Sequence, residues 1–318
     1  MLPPSLDDIS AAQVRLAGRI HITPLLSSQT IARLAGIGGV SLKCESLQKT
    51  GSFKVRGALN AIMQLDTASR ARGVVTVSAG NHAQALAWAA ASAGVTCTVV
   101  MPATASESKA AASAGYGASV IRHGTAAEAF AKAEELADSE GFTLVPPFDD
   151  ERVITGAGTV GLEIIRQQPD VDLIVVPIGG GGLIAGVAAA AKQAKPSVKV
   201  IGVEPEGAAA MRRSLDAGHP VRLDAVQTIA DGLAAPFAGQ LTYPIVRDLV
   251  DDVVLVSDAE IAEAMSLLLS RAKLVAEGAG ATATAAVLSR RISAAAADRA
   301  VAIVSGGNID LDRMKALV

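Results

Sequence analysis

Three polar, glycine-rich segments carry the residues that could do chemistry. The first is TGSFKVRGA, Thr50 to Ala58, which sets Lys54 one residue after Phe53 at the start of a segment of helical period. The second is SAGNHAQ, Ser78 to Gln84, which follows the β-branched run VVTV and opens the helix containing Trp88. The third is GGGGL, Gly179 to Leu183, directly after the apolar run LIVVPI. Each lies where a strand or loop becomes a helix, so unpaired backbone N–H groups are available to an anion, and all three fit a single cofactor. Four consecutive glycines are conformationally costly, which argues that something approaches that backbone closely, most simply a phosphate. Taken singly the signals are weaker: lysines are mostly solvated surface groups, and Asn and His at a helix start are commonly caps.

GAGTVG, Gly156 to Gly161, satisfies the dinucleotide pattern G-x-G-x-x-G, but PPFDDERVIT precedes it where a strand is required, and Asp172 stands before the next strand instead of at its end. A dehydrogenase is therefore strongly disfavoured. No Walker lysine, Cys/His metal cluster or G-x-S-x-G elbow is present in the sequence.

The elements that must position these segments alternate. From Gly73 onward the strand-like runs VVTV and TCTVV are separated by Ala-rich segments of helical period, Asn81 to Ala93 and Ser106 to Ala114, the pattern of βαβ units and a mostly parallel sheet. Thr125 with Glu128, and Ser257 with Glu260, form capping boxes that predict helix starts. Gly94 predicts a helix stop. A second set of strands follows at DLIVVPI, VKVIGV, DVVLV and VAIV. Between the sets, VPPFDD (Val145 to Asp150) cannot continue a central strand, so the boundary between two sheets is placed there. The Ala-rich tract near Ala294 predicts a plain helix.

A chain of 318 residues that is 50% hydrophobic can bury a large core. Its charge of −3 and 3% aromatic content leave neither a basic stripe nor stacking platforms for nucleic acid. Cys44 and Cys97 are too few for a disulfide framework or thiolate metal site, MLPPSLDD lacks a signal peptide's positive charge, and Ala83 to Pro102 is too interrupted to span a membrane. The expectation is a cytoplasmic enzyme.

Together TGSFKVRGA, SAGNHAQ, GGGGL, TIADG (Thr228 to Gly232), TYPIVRDLVDDVV (Thr242 to Val254) and SGGN (Ser305 to Asn308) resemble, in order and over nearly the whole chain, the threonine dehydratase and serine racemase family of fold type II pyridoxal 5'-phosphate (PLP) enzymes. The resemblance implies an α/β fold of the tryptophan synthase β type. Two mostly parallel three-layer α/β domains, residues 1–50 with 148–318 and residues 51–147, would enclose PLP in their cleft. Lys54 then resembles the Schiff-base lysine and general base, and Phe53 packs on the cofactor ring. Asn81 meets the ring's phenolic oxygen, Gly179, Gly180, Gly181 and Gly182 hold the phosphate, and Ser305 meets the pyridine nitrogen. Ser78, Ala79, Gly80, Asn81 and His82 form the substrate-carboxylate segment, with Ser78 and Lys54 catalytic. The implied activity is β-elimination of water from L-threonine or L-serine, with hydrolysis of the product to a 2-keto acid and ammonia, by a homodimer.

Departures from the family pattern modify this expectation. Racemases of the family resemble SSGNH where this chain has Ala79, so no hydroxyl serves the opposite face of the α-carbon, and dehydratase is favoured over serine racemase. A dehydratase of threo-3-hydroxyaspartate or phenylserine, and a PLP-binding protein without turnover, are the remaining alternatives. The family's divalent-metal site matches Glu204 and the carbonyl of Ala208, but its second acid falls on Ala210, so a monovalent cation or water fits that place as well. Glu277 precedes Gly278 where relatives have proline, and Ala157 replaces a common glutamine. Because the chain ends at Val318, shortly after SGGN, no appended regulatory domain and no isoleucine feedback are expected.

Overall fold

The computed structural model describes residues 2–292 and 298–318. The tract near Ala294, read as a helix, falls in residues 293–297, outside the described residues.

Among the described residues, ten strands form two sheets. β1 (Leu25–Ser27), β2 (Gly39–Cys44), β7 (Leu173–Pro177), β8 (Lys199–Pro205), β9 (Asp252–Val256) and β10 (Arg299–Val304) make a six-stranded sheet of order β1-β2-β10-β7-β8-β9. β3 (Val74–Val77), β4 (Cys97–Met101), β5 (Ser119–Arg122) and β6 (Thr143–Leu144) make a four-stranded sheet of order β5-β4-β3-β6. Every pairing is parallel except β1 with β2. The helices are α1 (Leu6–Leu16), α2 (Gln29–Ala35), α3 (Lys54–Met63), α4 (Thr67–Arg72), α5 (Asn81–Ser92), α6 (Glu107–Gly115), α7 (Ala126–Glu140), α8 (Glu151–Gln167), α9 (Gly182–Ala194), α10 (Ala210–Ala217), α11 (Thr242–Leu249), α12 (Asp258–Leu267), α13 (Gly278–Leu288) and α14 (Leu311–Leu317). Among the described residues none is long and apolar enough to cross a membrane.

Strand alternation splits the core into layers. Leu173, Val175, Ala302 and Val304 face the apolar cluster made with α2, α12 and α13, while Ile174, Val176, Val301 and Ile303 face the one made with α8, α9 and α11. Both faces of the large sheet are thus covered, as a parallel sheet requires. The small sheet repeats the device: Val74, Val99 and Met101 pack toward α3 and α5, and Val75 and Val100 toward α7. Both capping boxes form as read, at Thr125/Glu128 on α7 and Ser257/Glu260 on α12, and Gly94 closes the α5 segment at φ +67°.

Residues 156–161, the rejected dinucleotide pattern, lie inside α8. A Cβ at Gly156 would stand 2.5 Å from the Arg56 carbonyl oxygen of α3, and one at Gly161 would stand 2.8 Å from the Val187 carbonyl oxygen of α9. These glycines let three helices cross backbone to backbone, so they bind no phosphate.

Candidate active site

The C-terminal ends of β3, β7 and β10 open into one cavity of about 620 Å³, the place where parallel α/β sheets commonly hold ligands. All three glycine-rich segments reach it: Phe53 and Lys54, Ser78 to His82, and Gly179 to Gly182, together with Ser305.

Lys54 opens α3, and no side chain caps that helix at Phe53. The entry is fixed by the other end of the chain instead. Phe53 N–H donates to the Ser305 carbonyl at 3.0 Å, Ser52 bridges Gly306, and Gly307 N–H donates to the Gly51 carbonyl at 2.9 Å. The Lys54 Nζ donates to the Pro147 carbonyl at 2.7 Å and stands 5.1 Å from the Phe53 ring centre. Burial pulls its amine down to about 8, opposed by the Glu277 carboxylate. A cation of ordinary pKa near 10.4 is therefore replaced by an amine that is neutral in an appreciable fraction near neutral pH.

Asn81, the first residue of α5, is held at both ends of its amide. Its Nδ2 donates to Glu277 Oε1 at 2.6 Å, and its Oδ1 accepts from Asn308 Nδ2 at 2.8 Å. Asn308 in turn donates to the Thr50 carbonyl at 2.7 Å. Burial pushes Glu277 up to about 7, with the Asn81 bond pulling the other way. A Cβ at Gly306 would lie 2.3 Å from Glu277 Oε1, which explains a glycine inside SGGN.

Gly179 to Gly182 lead into the N-terminus of α9, where N–H groups and the helix dipole favour an anion. Gly181 has φ +95°, a conformation that costs an ordinary residue about 1–2 kcal/mol. The close approach expected at this loop comes from protein on one side: a Cβ at Gly180 would lie 2.4 Å from the Phe148 ring, and one at Gly181 would lie 2.6 Å from Thr242 Oγ1. Thr242 also donates its hydroxyl to the Gly180 carbonyl at 2.7 Å.

Ser78 directly follows β3, and its Oγ accepts the Gly80 N–H at 3.2 Å. Ala79 and Gly80 line the cavity beside it. His82 is buried with Nε2 donating to the Val145 carbonyl at 3.0 Å, and burial drives its pKa down to about 3, so it stays neutral and is no acid at physiological pH. The Ser305 hydroxyl donates to the Ala279 carbonyl at 3.2 Å.

Glu204 and Ala208 lie elsewhere. Glu204 is fully buried in β8, its Oε1 and Oε2 accepting the Met211 and Arg212 N–H groups of α10 at 2.8 Å each, and burial pushes its carboxyl up to about 8. Among the described residues no group of three or more His, Cys, Asp or Glu side chains could hold a metal ion. Cys44 and Cys97 are buried free thiols pushed up to about 12, so neither is a nucleophile.

Sequence reasoning gave no role to Phe148 or Thr242, which shape the glycine loop, nor to Asp231, which pairs with both Lys109 and Arg313 at the cavity. Phe148 was visible only as part of VPPFDD, and Thr242 only as the first residue of TYPIVRDLVDDVV.

Comparison with known proteins agrees with this geometry. The sequence pattern of the family described as pyridoxal-phosphate dependent enzyme matches residues 16–306. The catabolic L-threonine dehydratase of Escherichia coli K12 is 46% identical over 315 residues, 98% of this chain and 95% of the relative. Maize serine racemase superposes with a TM-score of 0.95 at 40% identity, covering 99% of this chain and 97% of that one. A threonine deaminase from T.th. superposes at 0.91 with 43% identity, covering 97% of this chain and 99% of that one. With a pattern match over most of its length and relatives this similar, the chain belongs to the family of pyridoxal-phosphate dependent enzymes.

Proposed function

We propose that this protein eliminates water from L-threonine or L-serine, and that the enamine so released takes water back up as it hydrolyses, so that the net products are a 2-keto acid and ammonia. The observation that carries the reading is Lys54: an amine lowered to about 8 by burial, lining one cavity with a glycine loop at a helix N-terminus and with Ser305. The residues present fit the cofactor. Gly179 to Gly182 would hold its phosphate, Phe53 and Asn81 its ring and phenolic oxygen, and Ser305 its ring nitrogen. When bound, PLP supplies the electron sink for bonds broken at the substrate's α-carbon.

The chain's own groups do the rest. Lys54, neutral in part near pH 8, takes the α-proton as general base and can return it to the departing β-hydroxyl. Ser78 and the amides of Ala79, Gly80, Asn81 and His82 hold the substrate carboxylate. Ser305 offers a neutral hydroxyl, which does not impose a charge on the ring nitrogen as an aspartate would, and this favours prompt loss of the β-group. The other cations lining the cavity, Lys109 and Arg313, are already paired with Asp231, which disfavours a substrate with a second carboxylate.

Serine racemase is the second reading, favoured by the 0.95 superposition. Ala79 argues against it, because no hydroxyl stands there to serve the other face of the α-carbon. Purified holoprotein given L-serine should release pyruvate much faster than D-serine; comparable rates would reverse the assignment.

The two sheets also support a division into residues 51–147 and residues 1–50 with 148–318: all four strands of the small sheet fall in the first set, and all six of the large sheet in the second. A cytoplasmic homodimer without nucleic-acid or membrane partners completes the proposal, supported by the two buried free cysteines and the family resemblance.

A further inference from the structure

Arg56 lies two residues beyond Lys54 on α3 and is fully buried. All five of its guanidinium N–H groups are used. Nε and Nη2 reach Glu45 Oε2 and Oε1 at 2.8 Å each, Nη1 and Nη2 reach Glu163 Oε1 and Oε2 at 2.7 and 2.9 Å, and Nη1 also reaches Thr159 Oγ1 at 3.1 Å. Lys43 completes the cluster, its Nζ donating to Glu163 at 2.6 Å, to Gln167 at 2.8 Å and to the Thr23 carbonyl at 2.9 Å. Two cations and two anions thus balance in the interior, on α3, α8, β2 and the turn that follows β2.

Such a cluster is poorly explained as a source of stability, since apolar side chains of the same volume often do as well. What it does supply is register. The backbones of α3 and α8 already touch, with a Cβ at Gly57 only 2.7 Å from the Val153 carbonyl oxygen. Contact between two smooth helix faces leaves rotation and sliding open; a forked, two-carboxylate grip closes both. At about 100° per residue, position 54 lies roughly 200° around the helix from position 56. The grip and the amine therefore sit on opposite sides of α3, one facing α8 and β2, the other the cavity.

We propose that Arg56 is a positioning residue for Lys54, fixing the rotation and axial place of α3 so that the amine is delivered to the Pro147 carbonyl and the cavity. The proposal rests on the reading of Lys54 as the cofactor-bearing lysine. The groups facing that amine are Glu277 beside α13 and His82 on α5, and any shift of α3 changes its distance to both, so its titration reports its place.

The test uses cofactor-loaded Arg56→Lys, which keeps the charge and loses the fork, with Thr159→Val as a milder variant that removes one of five bonds without changing volume. Melting temperature, bound cofactor per chain, kcat, KM and the pH profile of kcat are measured. Arg56→Lys should lower kcat per loaded site up to about 100-fold, the cost of a misplacement near 1 Å, with KM little changed and the pH limb displaced. Thr159→Val should move kcat and the limb in the same direction by less, with a near-native melting temperature. Should Arg56→Lys fail to fold, the outcome for Thr159→Val decides alone. A lowered melting temperature with unchanged kcat per loaded site and a superimposable pH profile would overturn the proposal and leave the cluster purely structural. If instead wild-type protein carries its cofactor on another lysine, the reading of the site and this proposal fall together.

Discussion

Replacing Gly180 by alanine isolates the steric design of the glycine loop. Gly180 is not among the residues of left-handed φ, so alanine is conformationally acceptable there and any loss comes from contact. The new Cβ would stand 2.4 Å from three Phe148 ring carbons, against an ordinary contact that begins near 3.4 Å, a shortfall of about 1 Å. Phe237 stands behind the ring, with ring centres 5.7 Å apart, and the Phe148 backbone already crowds Gly182, so relief on those sides requires the loop to move. Overpacking of this kind costs about 1–3 kcal/mol, and at 1.4 kcal/mol per tenfold the cofactor dissociation constant should rise roughly 5- to 150-fold if the loop moves to relieve it. The assay is titration of apoprotein with PLP, followed by visible absorbance at equilibrium. The double variant Gly180→Ala with Phe148→Leu should recover most of the loss. Wild-type affinity in the single variant, or no recovery in the double, would refute the argument that Phe148 sets the loop.

Other predictions follow from the same geometry. On the role proposed for Lys54, its neutral amine takes up the cofactor covalently, so the loading rate of apoprotein should climb about tenfold per pH unit up to about 8 and then level; a flat profile between pH 6 and 8 counts against it. Glu204 holds its proton more tightly when folded, at about 8, than an unfolded glutamate does at about 4.3, so folding stability should fall as pH rises through that window. Glu204→Gln should flatten that decline in urea midpoints measured from pH 5 to 8. Thr125→Ala should cost about 1 kcal/mol of stability through the lost cap on α7 while leaving kcat unchanged, which thermal melts and steady-state assays check together.

What the sequence made legible was local. Caps such as Thr125 with Glu128, β-branched runs such as VVTV, and glycine runs at helix starts are set by residues within a few positions of one another. The short edge strands β1, β5 and β6 escaped because two to four residues carry too little alternation, and β2 escaped because its Lys43 reads as exposed although it is fully buried. That burial depends on Glu163, 120 positions away, just as the Arg56 grip depends on a partner 107 positions away. Spacing cannot announce such pairs. Glu204 was a cation-ligand candidate only through its match to the family's metal site, and spacing could not show that its two oxygens accept the Met211 and Arg212 amides. Phe148 was hidden by its neighbours: VPPFDD signals a crossover, and nothing in that string says that the ring reaches a loop more than thirty residues on.

The most direct measurement is to reduce freshly loaded holoprotein with borohydride, digest it, and find by mass spectrometry which lysine carries the cofactor. The label should appear on the peptide containing Phe53 and Lys54, and Lys54→Ala should be colourless and release no keto acid from threonine or serine. A label on Lys109 or any other lysine, or a coloured and active Lys54→Ala protein, would contradict the account.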